Sequence, residues 1–582
     1  RVPGLDLHRT WGMDADQVTD IGRSLAPDAP IVLMDMATGE RHPFWSELDS
    51  HPETTDDERL LIIRPARNLL EGHRYLVVLR DVRGGDGATL RPTTPVASER
   101  VLADVERAGL AAPELYRAWD FTVASERNLT ERVLSMRDRA FAELGDTNLA
   151  DRVVAGRPPA FTIDEVVDLP VEQNRATART VRGTVTVPNH LTHQVETTLA
   201  APDALTEESL PVAVPGARLV YGDDGLPTVN ALQPTVEVPF ECHVPRTAGL
   251  ADGLLYGHGL LGGRGEAGGS STEDLRLRGF MPCAIDWLGM ATADLANVAS
   301  MLLDMSQFPS LPDRAQQGFV GFLLLGRAIA HPDGFASHPA FQDGDGQPRI
   351  RTGGVTYDGN SQGGIMGGAL TALAPDFTRA KLGVPGMNYS TLLNRSVDWE
   401  GAYGAIAYAA YPSKIDQQLL FALIQMVWDR GEANGYAHHL TSDPLPNTPP
   451  HQVLLQVAYA DHQVANVAAE VMARTAGARL HWPALGVDSP HWSVDPLFGL
   501  SPLDHAMPDG QSALVYWYAA DRGNTMPPTG NVPPTSGEDP HGDPRKDNRA
   551  SDQVAWFLRT GGFVDVCGGG PCVTTEATRS ND

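Results

Sequence analysis

Residues 355–373 join three unlike pieces in direct succession: the β-branched and aromatic run Val-Thr-Tyr-Asp, the glycine-flanked serine of Gly-Asn-Ser-Gln-Gly, and the helix-like Gly-Ile-Met-Gly-Gly-Ala-Leu-Thr-Ala-Leu. A chain with this stretch must pass from strand to helix across one sharp turn. Gly359 and Gly363 let the two elements approach without Cβ clashes, and Ser361 at the apex then points its hydroxyl into a cleft. The G-x-S-x-G spacing occurs once, and it has a predicted strand before it and a predicted helix after it. A glycine-rich turn with an idle serine is the bland alternative in a chain with 58 glycines.

At 582 residues there is room for two to four domains and a large core. Basic residues number 45 against 73 acidic ones, for a formal charge of −28, and only Lys381, Lys414 and Lys546 are lysines. That balance argues against binding nucleic acid or an anionic membrane surface through bulk electrostatics. The most apolar segment, 318–326, is short and followed by Arg327, so no transmembrane segment is predicted. The chain starts at Arg1, which is expected of a trimmed start, and no signal peptide can be read from it. Oligomeric state has no signature in the sequence.

Four cysteines are present, and Cys567 and Cys572 bracket Gly-Gly-Gly-Pro, a loop flexible enough to close a small ring. Of the three pairings, Cys567–Cys572 with Cys242–Cys283 is the one expected; four buried thiols are the alternative. Disulfides imply an extracytoplasmic location: secreted, periplasmic or at the cell surface.

Residues 1–123 hold short alternating runs separated by turns such as Arg-Gly-Gly-Asp-Gly, which predicts a small all-β sandwich. Residues 125–144 have apolar and charged residues at helical spacing, with Ser125 as N-cap and Gly145 as stop, inside a linker at 124–160. From 161 to 582 a few β runs give way to strands alternating with helices, the pattern of a mostly parallel, doubly wound sheet.

Residues 250–565 resemble the α/β-hydrolase fold. The likeness is carried by the order of the strand 253–257, the loop His258-Gly259-Leu260-Leu261-Gly262-Gly263, the strand 281–287, a helical region at about 291–331, and the serine turn. The phrase at 64–82 resembles immunoglobulin-like modules that precede the catalytic domain of some bacterial extracellular, virulence-factor-type lipases. The resemblance implies antiparallel second and fourth strands, and Cys242 and Cys283 fall on those two runs, which makes their pairing reasonable. It also implies a lid after the sixth strand, at about 388–450, where Tyr389, Trp399, Tyr403, Tyr408, Tyr411, Phe421, Met426, Trp428 and Tyr436 are concentrated. Most of these are expected to fill the lid's own core and a few to face a substrate.

A serine hydroxyl is a weak nucleophile at neutral pH and needs a base oriented by a carboxylate. In the resembled fold these follow in the order Ser, acid, His. The apolar strand 453–459 delivers Asp461, the expected acid; the last strand, 512–518, leads through a long Pro/Gly loop to His541, the expected base, ahead of a helix at 550–558. His462 adjoins Asp461 and leaves the strand in another direction, while His505, His438 and His439 read as surface or lid histidines. The oxyanion donors expected are the amides of Gln362 and, by similarity to His-Gly-x loops of bacterial lipases, Leu260, with His258 and Gly259 supporting that loop.

No cofactor or metal is implied. Residues 257–265 lack the acidic strand end of a dinucleotide site, and 341–346, which hints at a calcium loop, lacks the downstream glutamate and reads as a turn. The expectation is an exported serine carboxylester hydrolase acting on neutral acyl esters: short- or medium-chain esters, glycerides or polyesters. A peptidase or amidase on the same fold, and a non-catalytic adhesion or binding protein, are the alternatives.

Overall fold

A computed structural model describes residues 1–50, 59–110, 114–192, 197–198, 211–212, 216–485, 497–503 and 510–579. Strands β1 (Ile31–Asp35), β4 (Arg74–Arg80) and β5 (Leu115–Thr122) form an antiparallel sheet in the order β1-β4-β5, and β2 (Phe44–Leu48) pairs with β3 (Leu61–Pro65). Strand alternation sorts their side chains. Ile31, Leu33, Tyr75, Val77 and Leu79 pack with Phe44 and with Trp11 of α1 (Leu7–Trp11), whereas Val32, Met34, Leu76 and Val78 pack with Val101 and Val105 of α2 (Glu99–Arg107). The segment thus has the two sheets of a sandwich, but a helix covers the outer face of the larger one.

Helix α3 (Glu126–Leu144) starts where Ser125 Oγ accepts the Asn128 N–H at 3.3 Å and ends at Gly145, whose φ of +93° only glycine adopts without strain. The large sheet then begins with β6 (Phe161–Asp168) and β7 (Thr177–Pro188); the short pair β8 (Thr197–Thr198) and β9 (Pro211–Val212) stands apart from it. It continues through β10 (Thr235–Pro245), β11 (Asp252–Gly257), β12 (Phe280–Ile285), β13 (Thr356–Asn360), β14 (Arg379–Gly383), β15 (Gln452–Ala458), β16 (Arg479–His481), β17 (Pro502–Leu503), β18 (Ala513–Ala519) and β19 (Cys572–Thr574).

Strand order is β17-β16-β18-β15-β14-β13-β11-β12-β10-β7-β6, with β19 beside β18. Pairing is antiparallel at β6·β7, β7·β10 and β10·β12 and parallel from β12 onward. Cys242 and Cys283 are direct cross-strand partners on β10 and β12 and are disulfide-bonded, and Cys567–Cys572 closes a second, small ring.

Adjacent strand residues point to opposite faces, so the two faces carry separate cores. Leu255, Tyr357, Leu382 and Leu455 pack on one face, with α6 (Ser310–Ala330), α7 (Gln362–Leu373) and α11 (Asn466–Ala476); Leu254, Leu454 and Val515 pack on the other, with α4 (Glu273–Leu277) and α12 (Asn548–Thr560). This is a mixed α/β fold with helices on both faces. Among the described residues no helix is long and apolar enough to cross a membrane.

Between β14 and β15 the chain forms α8 (Tyr389–Leu392), a π-helical turn at Trp399–Tyr403, α9 (Gly404–Ala410) and α10 (Lys414–Trp428). The amino-terminal strands dock against this insertion through buried charge. Glu47 on β2 binds Arg64 Nε at 3.0 Å through one oxygen and Arg395 through the other, and Arg64 also donates to Thr391 Oγ1 at 3.3 Å. His438 and His439 belong to the same seam, meeting the Leu69 carbonyl at 3.1 Å and the Glu71 carboxylate at 3.2 Å; His439 is buried rather than at the surface.

Candidate active site

Ser361 follows the last residue of β13 and precedes the first of α7, with φ 61° and ψ −123°. A non-glycine residue there stores of the order of 1–3 kcal/mol of strain, which the surrounding structure must hold. It is held by the Ser361 N–H donating to the Gly383 carbonyl at 2.9 Å and the Ile365 N–H donating to the Ser361 carbonyl at 3.0 Å. A Cβ on Gly359 would lie 2.4 Å from the Gly363 carbonyl oxygen, and one on Gly363 would lie 2.1 Å from that of Gly257. The glycines are therefore required by close backbone approach.

Asp461 sits just past β15. The amides of Gln463 and Val464 donate to its Oδ1 at 2.8 and 3.0 Å, which fixes the carboxylate. Upstream, Ala460 takes a positive φ of 61°, and the Asn466 side chain clamps the bend through the Ala460 N–H at 2.8 Å and the Ala458 carbonyl at 2.7 Å. His541, 80 residues further along, donates from Nδ1 to Asp461 at 2.8 and 2.9 Å. The opposite nitrogen, Nε2, is buried and has no partner among the described residues. Burial opposes protonation of this imidazole, but the Asp461 charge and hydrogen bond, with Asp539 nearby, outweigh it and raise its pKa above the usual value.

His541 and Ser361 line the same polar cleft, together with Leu260, Asn360, Asp398, Gln463 and Arg545. Ser361, Leu260 and Gln362 also line an adjoining apolar cavity with Met290, Met301, Phe308, Ile365 and Leu393. Of the nine insertion residues expected to supply core or pocket, Tyr389, Trp399, Tyr403 and Trp428 face that cavity and the other five do not. Tyr389 stacks on Trp428 at 3.8 Å between centroids, and its hydroxyl donates to the Gln362 side-chain oxygen, tying the residue after Ser361 to the insertion.

His258 is buried, and its Nε2 accepts the Trp287 N–H at 2.7 Å while Nδ1 donates to the Gly259 carbonyl at 2.8 Å. This pattern requires the neutral ring, in line with the pKa that burial lowers. The Gly259 N–H donates to Glu266 Oε2 at 3.0 Å, so His258 and Glu266 hold the loop from both sides and leave Leu260 facing the cleft. The amides of Leu260 and Gln362 donate to no acceptor among the described residues.

The structure thus brings Ser361, His541, Gln362, Leu260 and the His258–Gly259 support to one locus, with Asp461 behind His541. His462, adjacent to Asp461, does not bond to it: its N–H donates to Asp539 at 3.3 Å and its Nε2 has no partner among the described residues. His505 lies outside the described residues. Asp343 accepts the amides of Asp345 and Gln347, each at 2.9 Å, closing a turn. Asp539, which the sequence reading missed, accepts the His541 N–H at 3.1 Å and the Gln463 side chain at 2.7 Å, clamping the histidine loop onto the Asp461 loop. Its only sequence signal is its place two residues before His541.

No family model matches the chain, and no curated protein matches it. Among solved structures, it is similar to acetyl xylan esterase 1 from a Thermoanaerobacterium species, at 13% identity over 59% of this chain and 88% of that one, with a TM-score of 0.31. It is similar to a glucuronoyl esterase from Teredinibacter turnerae, at 12% identity over 69% and 78%, with a TM-score of 0.30. It is also similar to an acylaminoacyl peptidase from Pyrococcus horikoshii, at 10% identity over 48% and 35%, with a TM-score of 0.27. Likenesses this loose carry no argument, and the α/β assignment rests on the sheet's own strand order and pairing.

Proposed function

We propose that the protein is an exported serine carboxylester hydrolase of the α/β-hydrolase type acting on neutral acyl esters. Ser361 attacks the ester carbonyl, His541 takes its proton and passes it to the leaving alkoxide, and Asp461 holds the imidazole in the tautomer that leaves Nε2 free. The Gln362 and Leu260 amides stabilise the oxyanion, and water then hydrolyses the acyl-enzyme. The observation that carries this reading is the Asp461–His541 hydrogen bond, which leaves a buried, unpartnered Nε2 beside the cleft lined by the strained Ser361.

In this reading residues 161–582 are the catalytic domain, 388–450 its lid, 124–160 a linker and 1–123 an immunoglobulin-like module. The lid is supported by the insertion's share of the apolar cavity, and the extracytoplasmic location by the two disulfides. Export and likeness to virulence-factor-type lipases belong to the proposal. Assay of Ser361→Ala and His541→Ala on p-nitrophenyl butyrate tests it: each is expected to lose roughly 10³-fold or more in kcat/KM while unfolding at the wild-type temperature. Near-full activity in either variant contradicts the assignment.

A further inference from the structure

An ester bound at Ser361 is divided by its carbonyl carbon into two parts that leave in opposite directions. Two spaces meet at Ser361, and they differ in chemistry. One is the cavity walled by Met290, Met301, Phe308, Ile365 and the insertion's aromatics. The other is the cleft that contains His541, Arg545 and Glu266, and Asp398 and Gln463 line both spaces where they meet. The base that protonates the leaving oxygen must lie on the alcohol side of the scissile bond. His541 lines the cleft and not the cavity, so the alcohol portion occupies the cleft and the acyl chain the cavity.

Asp398, at that junction, lies close enough to His541 to feel its charge. It immediately precedes the π-helical turn, yet its side chain makes no capping hydrogen bond, and no described residue pairs with its carboxylate. Its own N–H donates to Ser396 Oγ at 3.2 Å. Burial raises its pKa above the usual carboxylate value; the nearby His541 ring works against that rise, while the like charges of Asp539 and Asp461 add to it. A half-buried carboxylate without a donor is costly unless something outside the chain supplies one. Arg545 in the same cleft weighs against a cationic alcohol, while Asp398 and Glu266 weigh against an anionic one. A neutral alcohol with free hydroxyls satisfies both conditions.

We propose that Asp398 is a specificity-determining residue whose carboxylate accepts a hydrogen bond from a hydroxyl on the alcohol portion, so that the preferred substrate joins an apolar acyl chain to a hydroxyl-bearing, polyol-type alcohol. This rests on the esterase reading above and deepens it.

The test compares esters with one acyl group and different alcohols. Release of butyric acid from 1-monobutyrin, ethyl butyrate and butyrylcholine is followed in a pH-stat for wild type, Asp398→Asn and Asp398→Leu, with thermal melting to establish folding. A hydrogen bond to a charged group accounts for roughly tenfold or more in kcat/KM. The ratio of kcat/KM for 1-monobutyrin to that for ethyl butyrate is therefore expected to fall by about that factor in Asp398→Leu. Asp398→Asn, which keeps an acceptor oxygen, should fall less, and the change should appear mainly in KM. An unchanged ratio in both folded variants overturns the proposal and leaves the esterase reading standing. A kcat/KM relative to ethyl butyrate that changes for butyrylcholine and not for 1-monobutyrin overturns it in favour of cation recognition. A wild type that hydrolyses none of the three esters overturns the esterase reading and this inference with it.

Discussion

Two buried charge clusters, which reach a common cavity through Arg395 and Asp461, solve opposite problems. At the seam with the amino-terminal strands, Glu47 spends one oxygen on Arg64 and the other on Arg395, and all three side chains are buried with both carboxylate oxygens occupied. At the strand ends, Asp461 is equally buried and is fixed by two backbone amides, but its remaining partner is a titratable ring. That ring has a second nitrogen with no partner among the described residues. A cluster whose valences all close internally is adhesive. One that ends in an unprotonated nitrogen beside a cleft can do chemistry, because that nitrogen can accept a proton from a group placed within its reach.

The largest effect that separates the clusters should follow from Asp461→Asn. The substitution keeps an acceptor for the two amides but removes the charge that raises the pKa of His541. Activity is expected to fall by roughly 10³–10⁴-fold, with a change in stability of about 1–2 kcal/mol. His541 must be neutral to act as base. Its raised pKa therefore sets the acid limb of the wild-type kcat/KM profile above pH 6.5, the ordinary histidine value. In Asp461→Asn that limb should move to lower pH. A variant with wild-type rate and an unmoved limb would remove Asp461 from the account.

The converse effect is expected of Glu47→Ala, which leaves Arg64 and Arg395 buried without their shared carboxylate. Loss of one partner from a buried cluster costs about 3–5 kcal/mol. Urea unfolding should show that loss, while kcat/KM of the molecules that remain folded stays within a few-fold of wild type. A large loss of activity with unchanged stability would mean that the seam acts on the site and is more than adhesive.

Much of the large sheet and its candidate site was legible in the sequence because their signals are local. The serine turn announces itself through glycines whose Cβ atoms would strike backbone oxygens, and Asp461 directly, and His541 after a long loop, follow apolar runs read as strands, which are β15 and β18. The cysteine pairing was expected from the loop that Cys567 and Cys572 bracket and was made reasonable by the antiparallel strands the resemblance implies; β10 and β12 put Cys242 and Cys283 opposite one another. What escaped depends on contacts between distant segments. Nothing near Glu47 indicates Arg395, and nothing near Asp398 indicates that it shares a cleft with His541. His438 and His439 read as surface or lid histidines because their partners, Leu69 and Glu71, come from a segment more than 360 residues away. The helix covering the amino-terminal sheet was missed for a different reason: strand alternation reports that a face is buried and not by what.

The central claim, that His541 makes Ser361 a nucleophile, is tested most directly by covalent labelling of the intact protein with a fluorophosphonate, read by mass spectrometry. One adduct per chain, on Ser361, is expected in the wild type, absent in Ser361→Ala and formed roughly 10³-fold more slowly in His541→Ala. Folded wild-type protein that stays unlabelled, or carries its adduct on another residue, would contradict the account.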